Sequence, residues 1–290
     1  MSVVCDMVPA VMGDHVLSLP VSDEWRCAIT DFVASLRAGG TAETTIKTRV
    51  QHLERLSRGL GVSSPAEVEA GALVAWAGQQ TWAVETRRSF RATCRRFFGW
   101  MAETGRAPAD ASVQLPRVRP AEPVPRPTPE LVYSHALSRA DERGRMILRL
   151  AGEVGLRRAE IAVIHQRDVL ADLTGRSLIV HGKGRRDRIV PLPDALGVEL
   201  VAAFDESGWL LPGRDDGHLS PRYVGKIAAE LLPAGYTLHT LRHRFATRAY
   251  GVARDTFAVQ SLLGHASPAT TRRYVAVPAE HLRATVEAIA

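Results

Sequence analysis

Toward the C-terminus of this 290-residue chain, His239-Thr240-Leu241-Arg242, Leu263-Gly264-His265 and Tyr274 supply two imidazoles, a guanidinium and a phenol. A phenol ionises near pH ~10, so alone it is a poor nucleophile at neutral pH. Surrounded by cations that hold a phosphate and stabilise developing charge, it can attack phosphorus and form a covalent ester. Two further cations lie upstream: Arg157 in Gly155-Leu156-Arg157-Arg158-Ala159-Glu160, and Lys183 in Gly182-Lys183-Gly184. Lysine occurs only at Lys47, Lys183 and Lys226 in a chain that otherwise uses arginine. A lysine can be tuned to transfer a proton and an arginine cannot, although chance retention is the alternative.

The same residue types have plainer uses. An isolated tyrosine in Thr-Thr-Arg-Arg-Tyr more often anchors a helix, and an isolated histidine more often sits satisfied in a core. His239 and His243 have the i, i+4 spacing of a helical zinc site. Between them stand Thr240, Leu241 and Arg242, which offer no glutamate base and put a cation beside the ion, so no metal is expected. His243 and His281 are assigned no chemistry.

The order Arg, Lys, His-x-x-Arg, Gly-His, Tyr resembles that of the tyrosine recombinases, a family that includes phage integrases and bacterial Xer-type recombinases. The resemblance covers nearly all of the chain. It implies that Tyr274 attacks a DNA phosphodiester, leaving a 3′-phosphotyrosyl link and a free 5′-hydroxyl. The ester conserves the bond energy, so neither ATP, metal nor other cofactor is implied. Arg157 and Arg242 would clamp the non-bridging oxygens, because guanidinium forks donate paired hydrogen bonds and stay charged. Spacing alone leaves Arg158 open beside Arg157. Glu160 would orient the arginines, a helix-end carboxylate being the alternative. Lys183 would protonate the leaving oxygen as general acid, with a plain phosphate contact as the other possibility. His239 and His265 would flank the phosphate, one as proton acceptor and the other as donor.

These groups need elements to position them. Leu115 to Pro129 carries Pro116, Pro120, Pro123, Pro125, Pro127 and Pro129, a density that excludes helix and favours a stiff extended tether. Arg117, Arg119 and Arg126 decorate it and are suited to a phosphate backbone. Before it, apolar spacing predicts four helices: Trp25, Ile29, Phe32 and Leu36, closed by Gly39-Gly40; Ile46, Val50 and Leu53, opened by Thr44 or Thr45; Ser64-Pro65 through Val68, Leu73 and Trp76; and Phe90, Cys94, Phe97 and Met101. Arg87, Arg91 and Arg95 recur on another face of the last helix, with Arg88 and Arg96 alongside. Spacing allows a merely solvated face. Likeness to the family's core-binding domain implies that these arginines contact DNA, where phosphate contacts set register and few side chains read bases.

After the tether, Met146 to Val154 reads as a helix ending at Gly155. Ser177 to His181 and Arg188 to Pro191 read as a hairpin with a glycine-rich basic tip bearing Lys183. Helices return over Pro221 to Leu232, Leu241 to Tyr250, Thr256 to Leu263 and beyond Pro278. Leu282, Val286 and Ile289 make a stripe suited to a neighbouring protomer or to its own domain. The expected fold is mainly α with a small β-sheet or hairpin, in two domains that close as a C-shaped clamp. The boundaries are a tail over 1–20, a helical core-binding domain over 21–112, a linker over 113–128 and a catalytic domain over 129–290.

Composition agrees with a DNA partner. The net charge is +6 and the pI about 9.6, which favours a polyanion. Cys5, Cys27 and Cys94 form no paired motif, pointing to a reduced compartment. Neither a membrane span nor a secretion signal is evident, so a cytoplasmic protein, on the nucleoid when bound, is expected. The favoured reading is an integrase of a temperate phage or other mobile element, with Xer-like resolution of chromosome or plasmid dimers as the alternative. The resemblance implies double-stranded attachment sites as substrate, a homotetramer on DNA, and strand exchange through a Holliday junction. A directionality factor or DNA-bending protein is a possible further partner. About 20 residues precede the core-binding helices in this sequence, so no arm-site domain is expected. A non-catalytic DNA-binding regulator and a type IB topoisomerase are the competing classes.

Overall fold

Ser22 accepts a hydrogen bond from the Trp25 amide and opens α1, Asp23–Ala38, with Asp23 and Glu24 in the first turn where the helix dipole favours acids. This is a computed structural model, and it describes residues 20–120, 125–173, 175–182 and 187–264. The chain divides into two compact units, Met1–Glu122 and Pro123–Ala290.

In the first unit, α1 buries Trp25, Ile29, Phe32 and Leu36, the face its spacing predicts. Helix α2, Glu43–Leu60, starts ahead of both threonines proposed to open it, with Ala42 as an N-cap that makes no side-chain bond. The helix expected from Ser64 to Trp76 is two pieces. A 3₁₀ turn, Pro65–Glu67, is closed by a capping box between Ser64 and Glu67, and α3 runs over Ala70–Gly78. Val68 separates them with extended backbone (φ −69°, ψ 114°) and a buried side chain. Helix α4, Val84–Glu103, buries Phe90, Cys94, Phe97 and Met101. The Phe97 ring stacks on Trp25 at 5.9 Å and meets Phe32 edge-on at 5.2 Å, the centre of an aromatic core.

The proline-rich segment is held at both ends, each on its own unit. Ala111 and Leu115 belong to the first core, and Arg91 Nε donates to the Leu115 carbonyl at 3.2 Å. Thr128 is buried in the second unit, where its amide donates to the Thr240 carbonyl at 3.1 Å and the two hydroxyls lie 2.8 Å apart.

The second unit contains α5 (Glu130–Arg139), α6 (Glu142–Glu153), α7 (Arg158–Ala162), α8 (Asp194–Ala202), α9 (Pro221–Leu231), α10 (Leu238–Ala253) and α11 (Thr256–Leu263). Between α7 and α8 lies an antiparallel sheet of order β1-β2-β3, made of Val169–Asp172, Gly175–Val180 and Arg188–Leu192, and a short strand β4, Pro212–Asp215, follows α8. Val180 pairs with Arg188, so β2 and β3 form the expected hairpin. Strand β1 and helix α8 were not expected: β1 is four residues long, and α8 carries little amphipathic contrast. Ile147, Leu148, Leu150, Leu156, Leu178, Leu196 and Leu241 join α6, the sheet, α8 and α10 in one core. The architecture is mainly helical with a small sheet, the fold class that the sequence predicts. Among the described residues, no helix is long and apolar enough to cross a membrane.

Candidate active site

Helix α6 stops at Gly155, whose φ of +76° is open to glycine but strained for other residues. A Cβ there would lie 2.3 Å from Phe245 Cδ1 on α10, so the chain passes close to that helix as it turns toward Arg157. Arg157 is the N-cap of α7 and Glu160 its third residue. The Glu160 carboxylate accepts from the Arg157 amide at 2.8 Å and from Arg157 Nη1 at 2.7 Å. It is almost fully buried, and Arg188 lays a two-pronged contact on it, with Arg242 Nη1 3.8 Å away. Burial opposes its ionisation, but hydrogen bonds from Arg188 and the Arg157 amide, with the charges of Arg188 and Arg242, hold it below the usual carboxylate range.

Thr237 opens α10 with its hydroxyl on the His239 amide, three residues earlier than the sequence pattern suggested. That start places His239 in the first turn and Arg242 one turn deeper. Arg242 is 1% exposed and donates Nη1 to the Gly155 carbonyl and Nη2 to the Leu263 carbonyl at 2.5 Å. Its guanidinium is therefore fixed by the ends of α6 and α11. Arg157 Nη1 reaches the same Leu263 carbonyl at 3.4 Å. Partial enclosure, then the charges of Arg242 and Arg157, keep His239 below the ordinary histidine value. His243 stands edge-on to it at 4.7 Å and is pushed down to about 4 by burial, His239 and Arg242. At neutral pH both imidazoles are uncharged, so His239 can take up a proton.

Arg157, His239 and Arg242 line a single cleft of about 520 Å³, together with Arg158 and Arg222. Glu160 stands behind the arginines rather than in the lining. Such a cleft suits an anion: it offers fixed guanidinium donors and a neutral imidazole at its edge. Among the described residues, no group of three His, Cys, Asp or Glu side chains is arranged to hold a metal ion. Lys183, His265 and Tyr274 lie outside the described residues, as does the stripe of Leu282, Val286 and Ile289.

Residues 130–281 match the phage integrase family. The chain belongs to that family. A tyrosine recombinase XerC of Rhodospirillum centenum is 32% identical over 260 residues, 81% of this chain and 75% of the relative. A tyrosine recombinase XerD of Caulobacter vibrioides is 32% identical over 225 residues, 68% of this chain and 72% of the relative. In fold, the chain is similar to a lambda integrase dimer bound to a COC′ core site, with a TM-score of 0.68 and 17% identity over 86% of this chain and 76% of that one. The protein is thus a tyrosine recombinase, of a family of enzymes that break and rejoin DNA.

In this recombinase, sequence reasoning overlooked Arg188. It begins β3, and besides Glu160 it bonds the Leu262 carbonyl through Nε at 2.9 Å. The signal was its place just beyond the Gly-Lys-Gly hairpin tip. The arginine stripe of α4 has divided uses. Arg87 donates to the Gln80 and Trp82 carbonyls, Arg91 to Leu115, Arg88 to Glu85, and Arg95 pairs with Asp110. Arg96 is exposed and close enough to Arg49 for their charges to repel, and Arg49 lines a hydroxyl-rich groove between α2 and α4 with Thr44, Thr45, Thr48, Ser89 and Thr93. Arg117 and Arg119 are exposed.

Proposed function

We propose that this recombinase cuts and rejoins double-stranded DNA at specific sites through a 3′-phosphotyrosyl bond to Tyr274. The observation that carries this reading is the meeting of Arg157, His239 and Arg242 in one cleft, with their charge balanced from behind by Glu160. Arg157 and Arg242 hold the non-bridging oxygens of the scissile phosphate and stabilise the charge that builds on them during attack. The Tyr274 oxygen bonds to phosphorus as the bond to the 5′-oxygen breaks. His239 or His265 takes the phenolic proton, and Lys183 gives a proton to the departing oxygen. Rejoining reverses these steps with a 5′-hydroxyl from another strand. Arg96 with the α2/α4 groove, Arg117 and Arg119 are the best placed for the DNA backbone in the first unit. The DNA-bound state of the lambda integrase to which the fold is similar supports duplex DNA as the substrate. Two-domain closure around the duplex, a homotetramer and a Holliday junction belong to the same reading.

The XerC and XerD relatives favour resolution of chromosome or plasmid dimers over integration of a mobile element. Isolation of covalent protein–DNA adducts from fragmented genomic DNA, with Tyr274→Phe in parallel, tests the chemistry. Adducts on a few related sites, lost in the variant, are expected. Adducts scattered over all DNA indicate a topoisomerase, and tight binding without adducts indicates a regulator. On the recovered site, dependence on a second recombinase supports the Xer-like role, whereas full recombination by this protein alone favours an integrase.

A further inference from the structure

Two arginines in the active-site cleft have no task in the chemistry above. Arg158 is the first residue of α7 and Arg222 the second of α9. Both are exposed, and both line the cleft that holds Arg157, His239 and Arg242. Their situation differs from that of Arg157, Arg188 and Arg242, which share Glu160. Among the described residues, neither Arg158 nor Arg222 has a hydrogen-bond or ion-pair partner, and no carboxylate lines the cleft.

Gly225 shows where the Arg158 side chain lies. A Cβ on Gly225 would stand 3.7 Å from Arg158 Nη1 and 3.8 Å from its Cδ. The Arg158 side chain therefore rests across α9 at Gly225, three residues along from Arg222 and on the same helix face. Two guanidinium groups on the wall of one cleft both attract an anion that enters it. Guanidinium forks match phosphate oxygens.

We propose that Arg158 and Arg222 form a second phosphate seat, which holds the DNA backbone phosphate next to the one clasped by Arg157 and Arg242. The proposal rests on the recombinase reading of the cleft. Adjacent arginines at 157 and 158 then serve successive phosphates of one strand, and α9 supplies the outer wall. The seat fixes the strand in register before Tyr274 attacks, so it acts on DNA binding and positioning rather than on the reacting atoms.

The test is a salt titration of the full-length Arg158→Gln, Arg222→Gln and double variants with two unrelated fluorescent duplexes. Each lost phosphate contact is expected to lower the slope of log K against log[salt] by about 0.9, equally on both duplexes. Arg222→Lys, which keeps the charge, should restore most of the slope. In the covalent assay, the double variant should need about tenfold more DNA at low salt for half-maximal adduct, with a smaller fall in the saturating rate. An unchanged slope in the double variant overturns the second seat, and so does a loss confined to one of the duplexes. Wild-type adducts through Tyr274 in the same preparations keep the recombinase reading standing if the seat fails. If wild type forms no adduct, the recombinase reading falls while the salt slopes still decide on the seat.

Discussion

Arg188 places Nη1 3.0 Å from Oε1 of Glu160 and Nη2 3.0 Å from Oε2, a parallel fork on a buried carboxylate. The contact ties the first residue of β3 to the third residue of α7, and Arg188 Nε adds the end of α11 through Leu262. Arg157 and Arg242 approach the same carboxylate from the cleft side. One negative charge thus holds three cations together in the absence of DNA. It also joins the strand that leaves the Lys183 hairpin to the arginines that would hold the phosphate.

Loss of Glu160 should therefore be costly. Breaking a buried pair by removing one partner typically costs about 3–5 kcal/mol, because the other charge is left uncompensated. Glu160→Ala is expected to lower the urea midpoint by a ΔΔG of that order, about 3 kcal/mol, with the slope unchanged. Because the folded carboxyl titrates below its unfolded value, its stabilisation is present above the ordinary carboxylate range and is lost as pH falls through the depressed folded pKa. The variant should lose that part of the acid limb of stability against pH. An acid limb identical to wild type would show that the pairing contributes nothing.

The cluster is only partly legible in the sequence, for a physical reason. Arg157 and Glu160 lie within one turn, so local helix geometry brings them together and the motif can be read directly. His239 and Arg242 likewise share a turn, although the Thr237 cap that places them there escapes a reading based on apolar spacing. Arg188 meets Glu160 across 28 residues, and only the fold-back of the hairpin makes that contact. On α4 the four-residue arginine period is plain, but the carbonyls at Gln80, Trp82 and Leu115 that take up Arg87 and Arg91 belong to other segments. Periodicity shows which face a residue shares, and tertiary packing decides what that face meets.

Gly155→Ala probes the turn that anchors Arg242. The substitution meets both a positive φ and the Phe245 ring. It is expected to destabilise the protein by about 1–3 kcal/mol. Since the Gly155 carbonyl holds Arg242 Nη1, adduct formation should also fall, about 10²-fold, well below the melting temperature. Phe245→Ala in the Gly155→Ala background should recover part of the stability by removing the clash. If the double variant shows only the sum of the two single losses, the close approach is not the cause.

His239 gives a pH prediction for the rate, with the same sense as that of Glu160 for stability. Its folded pKa lies below the ordinary value, through partial enclosure and the charges of Arg242 and Arg157. A neutral imidazole that accepts the phenolic proton makes the rate at sub-saturating DNA rise as pH climbs through that depressed pKa and level off above it. His239→Gln should lose about 10²–10⁴-fold in rate, and the acid limb with it. The check is single-turnover adduct formation between acid and neutral pH. A wild-type limb that survives unchanged in His239→Gln would assign the titration to another group.

His181 should titrate the base of the hairpin. Its Nε2 lies 3.0 Å from Asp168 Oδ1 and its Nδ1 3.1 Å from Asp187 Oδ2. Ionised carboxylates only accept, so both ring nitrogens must donate, which requires the imidazolium. The hydrogen bond to Asp168, then that to Asp187, raises its pKa against partial burial. The stabilisation is fully present below the unfolded value of about 6.5 and is lost as pH rises through the higher folded pKa. Amide protection at Val180 and Arg188, corrected for the intrinsic exchange rate, should therefore decline across that window and be flat in His181→Asn. The side chain is 44% exposed, so the effect should be modest and weaken with added salt. A wild-type profile as flat as that of the variant would mean that the two carboxylates do not hold the ring in solution.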